Sequence, residues 1–167
     1  ALKESPNRQL YEKWIEQGWL KMCPGEVFIP DMAINDLMAK NDQGLNLYCF
    51  GYDPAQSIQP INTIKAWLQT LGLNAEVIKQ MVVPVPQTFM VFNGLIGEVE
   101  YYIQNGEPWL QFSNNPMWPW QFGNSRVEEV HELRKLLKAA PNEKIDNSHA
   151  LIDAFYCFDL SEGRIQQ

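Results

Sequence analysis

Carboxylates are the side chains of this sequence best placed to do chemistry. Asp53 follows LNLYCFGY (Leu45–Tyr52), the most apolar run of the chain, and Pro54 fixes the exit. Open α/β sheets place their ligands at such strand ends, and an Asp pinned there is costly to desolvate unless something positive holds it. Asp-Pro is also a common turn opening, so capping of the next turn is an equal reading. Asp146, His149 and Asp153 fall at i, i+3 and i+7, on one face of a helical stretch. A carboxylate in the first turn favours the helix dipole by roughly 0.3–1 kcal/mol, which alone accounts for Asp146. Asp153 reads more readily as solvated or paired with a Lys, and His149 as a partly exposed helical histidine. Two Asp residues from separate elements that met at one sheet edge would hold a hard divalent ion. Mg²⁺ or Mn²⁺ held this way is what two-metal phosphodiester hydrolysis requires, to neutralise the attacking and leaving oxygens. Spacing alone does not establish that they meet.

Other chemistries are excluded. There is no GxxxxGK[ST] loop, GxSxG elbow, HExxH helix or dinucleotide fingerprint. Two histidines and three separated cysteines make neither a His-rich zinc site nor a finger. Cys23, Cys49 and Cys157 read as reduced, mostly buried thiols of an intracellular protein. The 167 residues are 46% apolar and include six Trp, six Tyr and eight Phe, enough for one folded domain. No stretch approaches the roughly 18 apolar residues of a membrane span, and Ala1–Gln9 has no apolar core of a signal peptide. The formal charge of −7 repels nucleic acid in bulk. A nucleic-acid role must therefore rest on a local patch or on cations held by carboxylates. Arg126, Arg134, Lys135, Lys138 and Lys144 form the local basic stretch, interleaved with Glu; it reads equally as a solvated face. Glu98, Glu100 and Glu107 read as another.

The spacing predicts helices over Asn7–Gln17, from Pro30 to before Gly44, and over Ser57–Leu71, Pro86–Gln104 and Asn142–Leu160. In the last of these Ile145, Leu151, Ala154, Phe155 and Phe158 are expected to face inward. Gly94 and Gly97 cost about 1 kcal/mol each against Ala in a helix, which points to close packing or a break. Strands are expected at Trp19–Met22, Leu45–Tyr52, Ala75–Val83 and Trp109–Phe112, the second covered on both faces. Asn114–Ser125 is a Pro- and Trp-rich loop, and Arg126–Ala140 is a strand and loop or a helix. Alternating helices and strands in the middle of the chain imply parallel neighbours and an α/β architecture.

Five stretches, in order over nearly the whole chain, resemble the nuclease domain of the large terminase subunit of tailed bacteriophages. They are YEKWIEQGWLKMCPGEVF (Tyr11–Phe28), LYCFGYDP (Leu47–Pro54), the following helix with Val77–Gln80, SNNPMWPWQFGNSRV (Ser113–Val127) and EKIDNSHALIDAF (Glu143–Phe155). The resemblance implies a ribonuclease-H-like mixed sheet with flanking helices. It implies endonucleolytic cutting of concatemeric double-stranded viral DNA in the host cytoplasm, beside a terminase small subunit and a portal. Three acidic residues then hold Mg²⁺ or Mn²⁺. Asp53 and Asp146 match two of them, as catalytic and metal-binding residues; the third would precede Ala1, with Glu98 or Asp153 as candidate replacements. On this reading residues 1–167 are one nuclease domain, a C-terminal fragment whose first strands are missing and which lacks the ATPase motor. The isolated chain is then expected to bind metal weakly, to cut poorly, and to self-associate through an open sheet edge. Lys144, Arg126 and Lys138 are the candidate DNA contacts. A reading of another class is a non-catalytic α/β interaction module within a packaging complex. Both Asp residues would then be structural, with Trp109, Trp118 and Trp120 as its hot spot. The two readings differ in whether Asp53 and Asp146 meet.

Overall fold

The structure, a computed structural model, describes residues 2–25, 29–55 and 58–165. The elements in chain order are α1 (Arg8–Glu16), α2 (Pro30–Asp42), β1 (Phe50–Tyr52), α3 (Ile58–Thr70), α4 (Ala75–Met81), β2 (Val82–Pro84), α5 (Phe89–Asn105), α6 (Met117–Gly123), β3 (Ser125–Val130), β4 (Leu133–Lys138) and α7 (Asp146–Ile165). The class is α/β, with two small sheets among the described residues. None of the described helices is long and apolar enough to cross a membrane.

β1 and β2 pair in parallel, Phe50 opposite Val82 and Tyr52 opposite Pro84. Parallel strands need cover on both faces. Side chains alternate along a strand, and Phe50 and Tyr52 pack into the cluster of Ile34, Ile61, Ile64, Leu68, Ile78 and Val82 from α2, α3, α4 and β2. Gly51 points the other way, against α7. β3 and β4 form an antiparallel hairpin. Its turn residues His131 and Glu132 both have positive φ, 50° and 65°, as a two-residue type I′ connection requires. Leu136 of β4 joins the second core, built on Phe92, Leu95, Ile96 and Val99 of α5 and Leu151, Ile152 and Phe155 of α7. The hairpin is fastened to α5 by the Arg134 N–H, which donates to Asn93 Oδ1 at 3.0 Å.

Several expected elements differ. The strand at Leu45–Tyr52 is realised only as Phe50–Tyr52. Ala75–Val83 is mostly helix, because the Asn74 side chain accepts the Val77 N–H at 3.0 Å and starts α4. Trp19–Met22 is no strand: Trp19 donates its N–H back to Trp14 at 2.8 Å as the chain leaves α1. Trp109–Phe112 is a turn, with the Leu110 N–H on the Glu107 carbonyl at 3.0 Å. The Asn114–Ser125 loop contains α6, started by Asn115 Oδ1 accepting the Met117 N–H at 2.9 Å. Pro119 is tolerated there because the first turn of a helix needs no N–H donors. Ala154 is exposed, and Ile152 and Cys157 take the buried places. Only Cys157 of the three cysteines is buried; burial and the adjoining Cys49 thiol push it up to about 12. Ser57, the expected helix start, and residues 26–28 of the first family-like stretch lie outside the described residues.

Two glycines mark close approaches and a third does not. A Cβ on Gly51 would stand 2.8 Å from the Asp153 carbonyl oxygen and 2.8 Å from Cys157 Sγ, so β1 and the backbone of α7 are in direct contact. At Gly97 a Cβ would meet the Arg134 guanidinium, the close packing expected there. Gly94 has nothing within 4 Å and marks neither packing nor a break in α5. Gly51→Ala is therefore expected to lose about 1–3 kcal/mol of stability through overpacking. Gly94→Ala, on the exposed side of α5, gains about 0.5–1 kcal/mol. Urea unfolding of the two variants checks both signs; equal effects would show that β1 and α7 are not in tight contact.

Candidate active site

The turn after β1 presents Asp53. Its Oδ1 accepts the Ala55 N–H at 2.9 Å, so the turn-opening role exists, and the carboxylate also faces a cleft. That cleft, of about 370 Å³, is lined by Asp53, Gln87 after β2, Lys138 at the end of β4, Ile145, and Asp146, His149, Ala150 and Asp153 of α7. Strand end and helix face thus open into one space, and Asp146, His149 and Asp153 share it as their spacing implied. Asp153 is half-buried and accepts from Gln87 Nε2 at 3.2 Å, rather than being solvated or paired with a Lys.

α6 and the start of β3 hold the beginning of α7 in place. Gln121 is buried, and its Oε1 accepts the Asn147 N–H at 2.7 Å, satisfying one of the N–H groups that a helix start leaves unpaired. Asn124 Nδ2 donates to the Lys144 carbonyl at 3.1 Å. Ser125 Oγ and Ser148 Oγ lie 2.8 Å apart, and Ser125 also donates to the Gln121 carbonyl. These contacts fix the turn from which Asp146 projects. Gln87, Gln121, Asn124 and Ser148 were not singled out in the sequence, because an amide or hydroxyl carries no periodic signal. Only the fold shows what it reaches.

His149 packs beside Phe92, with ring centroids 5.5 Å apart. Burial holds its pKa below the usual histidine range; Asp146 and Asp53 pull it up, while Lys135 and Lys138 push it down. Asp153 is raised, first by burial and then by the charge of Asp53, with the Gln87 hydrogen bond opposing. Asp53 therefore acts electrostatically on both α7 side chains. Among the described residues no three His, Cys, Asp or Glu side chains converge tightly enough to cage an ion. The donors are hard carboxylate oxygens, with a neutral imidazole beside them. Mg²⁺ is ordinarily held by one or two carboxylates, waters and substrate phosphates, and this donor set fits that mode.

The remaining candidates separate. Lys138 is in the cleft, and Lys135 Nζ sits 5.2 Å from the centre of the Phe89 ring. Lys144 is exposed. Arg126 instead lines an apolar hollow of about 190 Å³ with Ile96, Val99 and Ile103. Arg134 is tied to Glu100 at 2.8 Å. Glu98 is not among the residues lining the cleft; it lies against Asp159 and Tyr102 and near Glu162. Trp118 packs with Phe112 and Phe122, and Trp120 with Trp14 and Tyr11. Of the three tryptophans only Trp109 is exposed.

The sequence matches the family model described as terminase large subunit, endonuclease domain, over residues 2–162. No curated protein and no solved structure gives a match. With the match spanning nearly all of its length, the chain belongs to the terminase large subunit endonuclease domain family.

Proposed function

We propose that the cleft is the cutting centre of a DNA-packaging endonuclease, in which Asp53, Asp146 and Asp153 hold Mg²⁺ or Mn²⁺ and concatemeric double-stranded DNA is the substrate. One observation carries this reading: carboxylates from the end of β1 and from α7 open into one space. Divalent ions bound there would neutralise the charge on the attacking and leaving oxygens of the phosphodiester. The protein's own part is positioning. Ala55 orients Asp53, Gln87 orients Asp153, and α6 anchors the turn of Asp146. His149 stays neutral and so adds no repulsion toward the cations. Lys138, in the cleft, and exposed Lys144 are placed to meet strand phosphates. Such contacts are salt-sensitive.

Because no three donors converge among the described residues, the isolated chain binds metal weakly and cuts poorly until phosphate oxygens complete the coordination. A single ribonuclease-H-like nuclease domain, working in the host cytoplasm beside a small subunit and a portal, is the setting this reading implies. Pairing between copies along the open edges of the β1–β2 sheet belongs to the same proposal. A non-catalytic module gives no reason for carboxylates from two elements to repel each other in one cleft.

Mn²⁺ calorimetry with and without a DNA duplex, beside plasmid nicking, tests the assignment. Asp53→Asn and Asp146→Asn are expected to cost more than the roughly 10–100-fold that loss of an outer-shell partner costs. Asp153→Asn should weaken metal binding likewise. Unchanged metal binding and nicking in all three variants would sink the reading.

The state of His149 is read without metal. Its folded form takes up a proton at lower pH than the unfolded form, whose pKa is about 6.5. The unfolded chain then binds more protons as pH falls, so this contribution to stability is present above about pH 6.5 and lost below it. Asp153, raised in the fold, acts with the opposite sign in the carboxylate range near pH 4. With EDTA present, His149→Gln should flatten the decline of the urea midpoint between about pH 6.5 and 5. An unaltered slope would mean that His149 is not held neutral by the fold.

A further inference from the structure

The ends of α5 and α7 carry an aromatic surface that the cleft does not use. Trp109, just after α5, stacks on Phe158 with centroids 5.3 Å apart and planes at 17°, and meets Tyr102 edge-on at 4.8 Å. Phe155 lies beneath both. Trp109 nevertheless remains 49% exposed, and Tyr101, against Tyr102, 59% exposed. An aromatic side chain fixed by its neighbours yet half in solvent loses little freedom when covered, which is what interface anchors require.

The charges around this surface define what fits it. Glu98, Glu107, Asp159 and Glu162 surround Tyr102. Glu98 lies against Asp159, and burial, followed by the charges of Asp159 and Glu162, pushes the Glu98 carboxyl up. Among the side chains that the structure describes, the charges acting on Glu98 and Tyr102 are negative. Elsewhere Glu12, Asp36 and Glu100 each have a cation, Arg8, Lys21 and Arg134. A flat cation answers both features. A guanidinium stacks on an indole face and pairs with carboxylates through its fork of N–H donors. A phosphate-bearing strand is repelled by the same charges.

We infer that the Trp109–Tyr101 face, rimmed by Glu98, Glu107, Asp159 and Glu162, docks a basic, arginine-bearing segment of a protein partner. The face lies apart from the cutting cleft: Asp159 is thirteen positions, about 20 Å along the helix, beyond Asp146, and six positions, about 9 Å, beyond Asp153 on a different side of α7. Docking and cutting can therefore proceed together, and the inference stands independently of the chemistry assigned to the cleft.

Fluorescence anisotropy of a labelled octa-arginine peptide on the full chain tests it. The triple variant Glu98→Gln, Asp159→Asn, Glu162→Gln should bind roughly tenfold more weakly, as a hot-spot truncation does. A control that removes the same charge elsewhere, Glu16→Gln, Asp42→Asn, Glu76→Gln, should bind nearly as the unaltered chain does. Octa-lysine should bind more weakly than octa-arginine, and Trp109→Ala should abolish that difference. Should Trp109→Ala fail to fold by circular dichroism, Tyr101→Ala tests the same face while leaving the Phe158 stack in place. Equal weakening by the two triple variants would reduce the effect to attraction by net charge and overturn the inference. So would self-association of the chain, by sedimentation without peptide, that disappears in the first triple variant, since the occupant would then be a second copy.

Discussion

The direct contact between β1 and α7 at Gly51 sets the geometry of the cleft. A side chain there would begin 2.8 Å from the carbonyl oxygen of Asp153 and 2.8 Å from Cys157 Sγ, both on α7. The contact that seats the helix on the strand therefore also fixes how far Asp153 stands from Asp53, two residues beyond Gly51. Any larger residue must push the helix outward, and the carboxylates separate with it. Burying Asp153, and to a lesser degree setting it near the charge of Asp53, opposes folding, and the raised pKa of Asp153 is the trace of that cost. The Gln87 hydrogen bond at Asp153 and the helix start beneath Asp146 offset part of it.

The second requirement is that α7 begin at a defined place. A helix start leaves N–H groups unpaired, and here the buried Gln121 carboxamide takes one of them. Asn124 meanwhile secures the incoming chain at Lys144. A short helix rich in Trp and Pro thus acts as the bracket for the acidic end of a long one. Trp120 in turn ties that bracket to α1 through Trp14. The stretch from Ser113 to Val127, one of the five that resembled the family, consequently has a physical role that its sequence did not display.

Legibility in the sequence follows the kind of signal each element carries. Asp53 was readable because an apolar run ends there, and the face of Asp146, His149 and Asp153 because helical spacing is arithmetic. α4 was misread: a seven-residue helix with one buried position has almost no period, and the deciding feature was the Asn74 cap. The hairpin stayed ambiguous because its turn uses His131 and Glu132 at positive φ, where Asn or Gly would have announced it. That strand end and helix face meet could not be read from spacing, and only the resemblance implied it. It depends on Gly51 lying under α7, and a glycine in a strand looks the same whether or not a helix presses on it.

The acidic balance of the chain looks at first opposed to work on DNA, yet the fold distributes charge to suit it. A cleft that is to hold cations must be negative, and its carboxylates supply that. The lysines that act on His149, Lys135 and Lys138, come from β4, and Lys138 shares the cleft with Asp53. A phosphate approaching the cleft therefore meets positive charge only locally, while the remainder of the surface repels it. Binding by so small a patch is weak and salt-dependent; in the proposed function a bound metal ion would then lie between two sets of anions, protein carboxylates and DNA phosphates. On that reading neither set would be sufficient alone, so occupancy of the cleft and engagement of DNA would be a single coupled event.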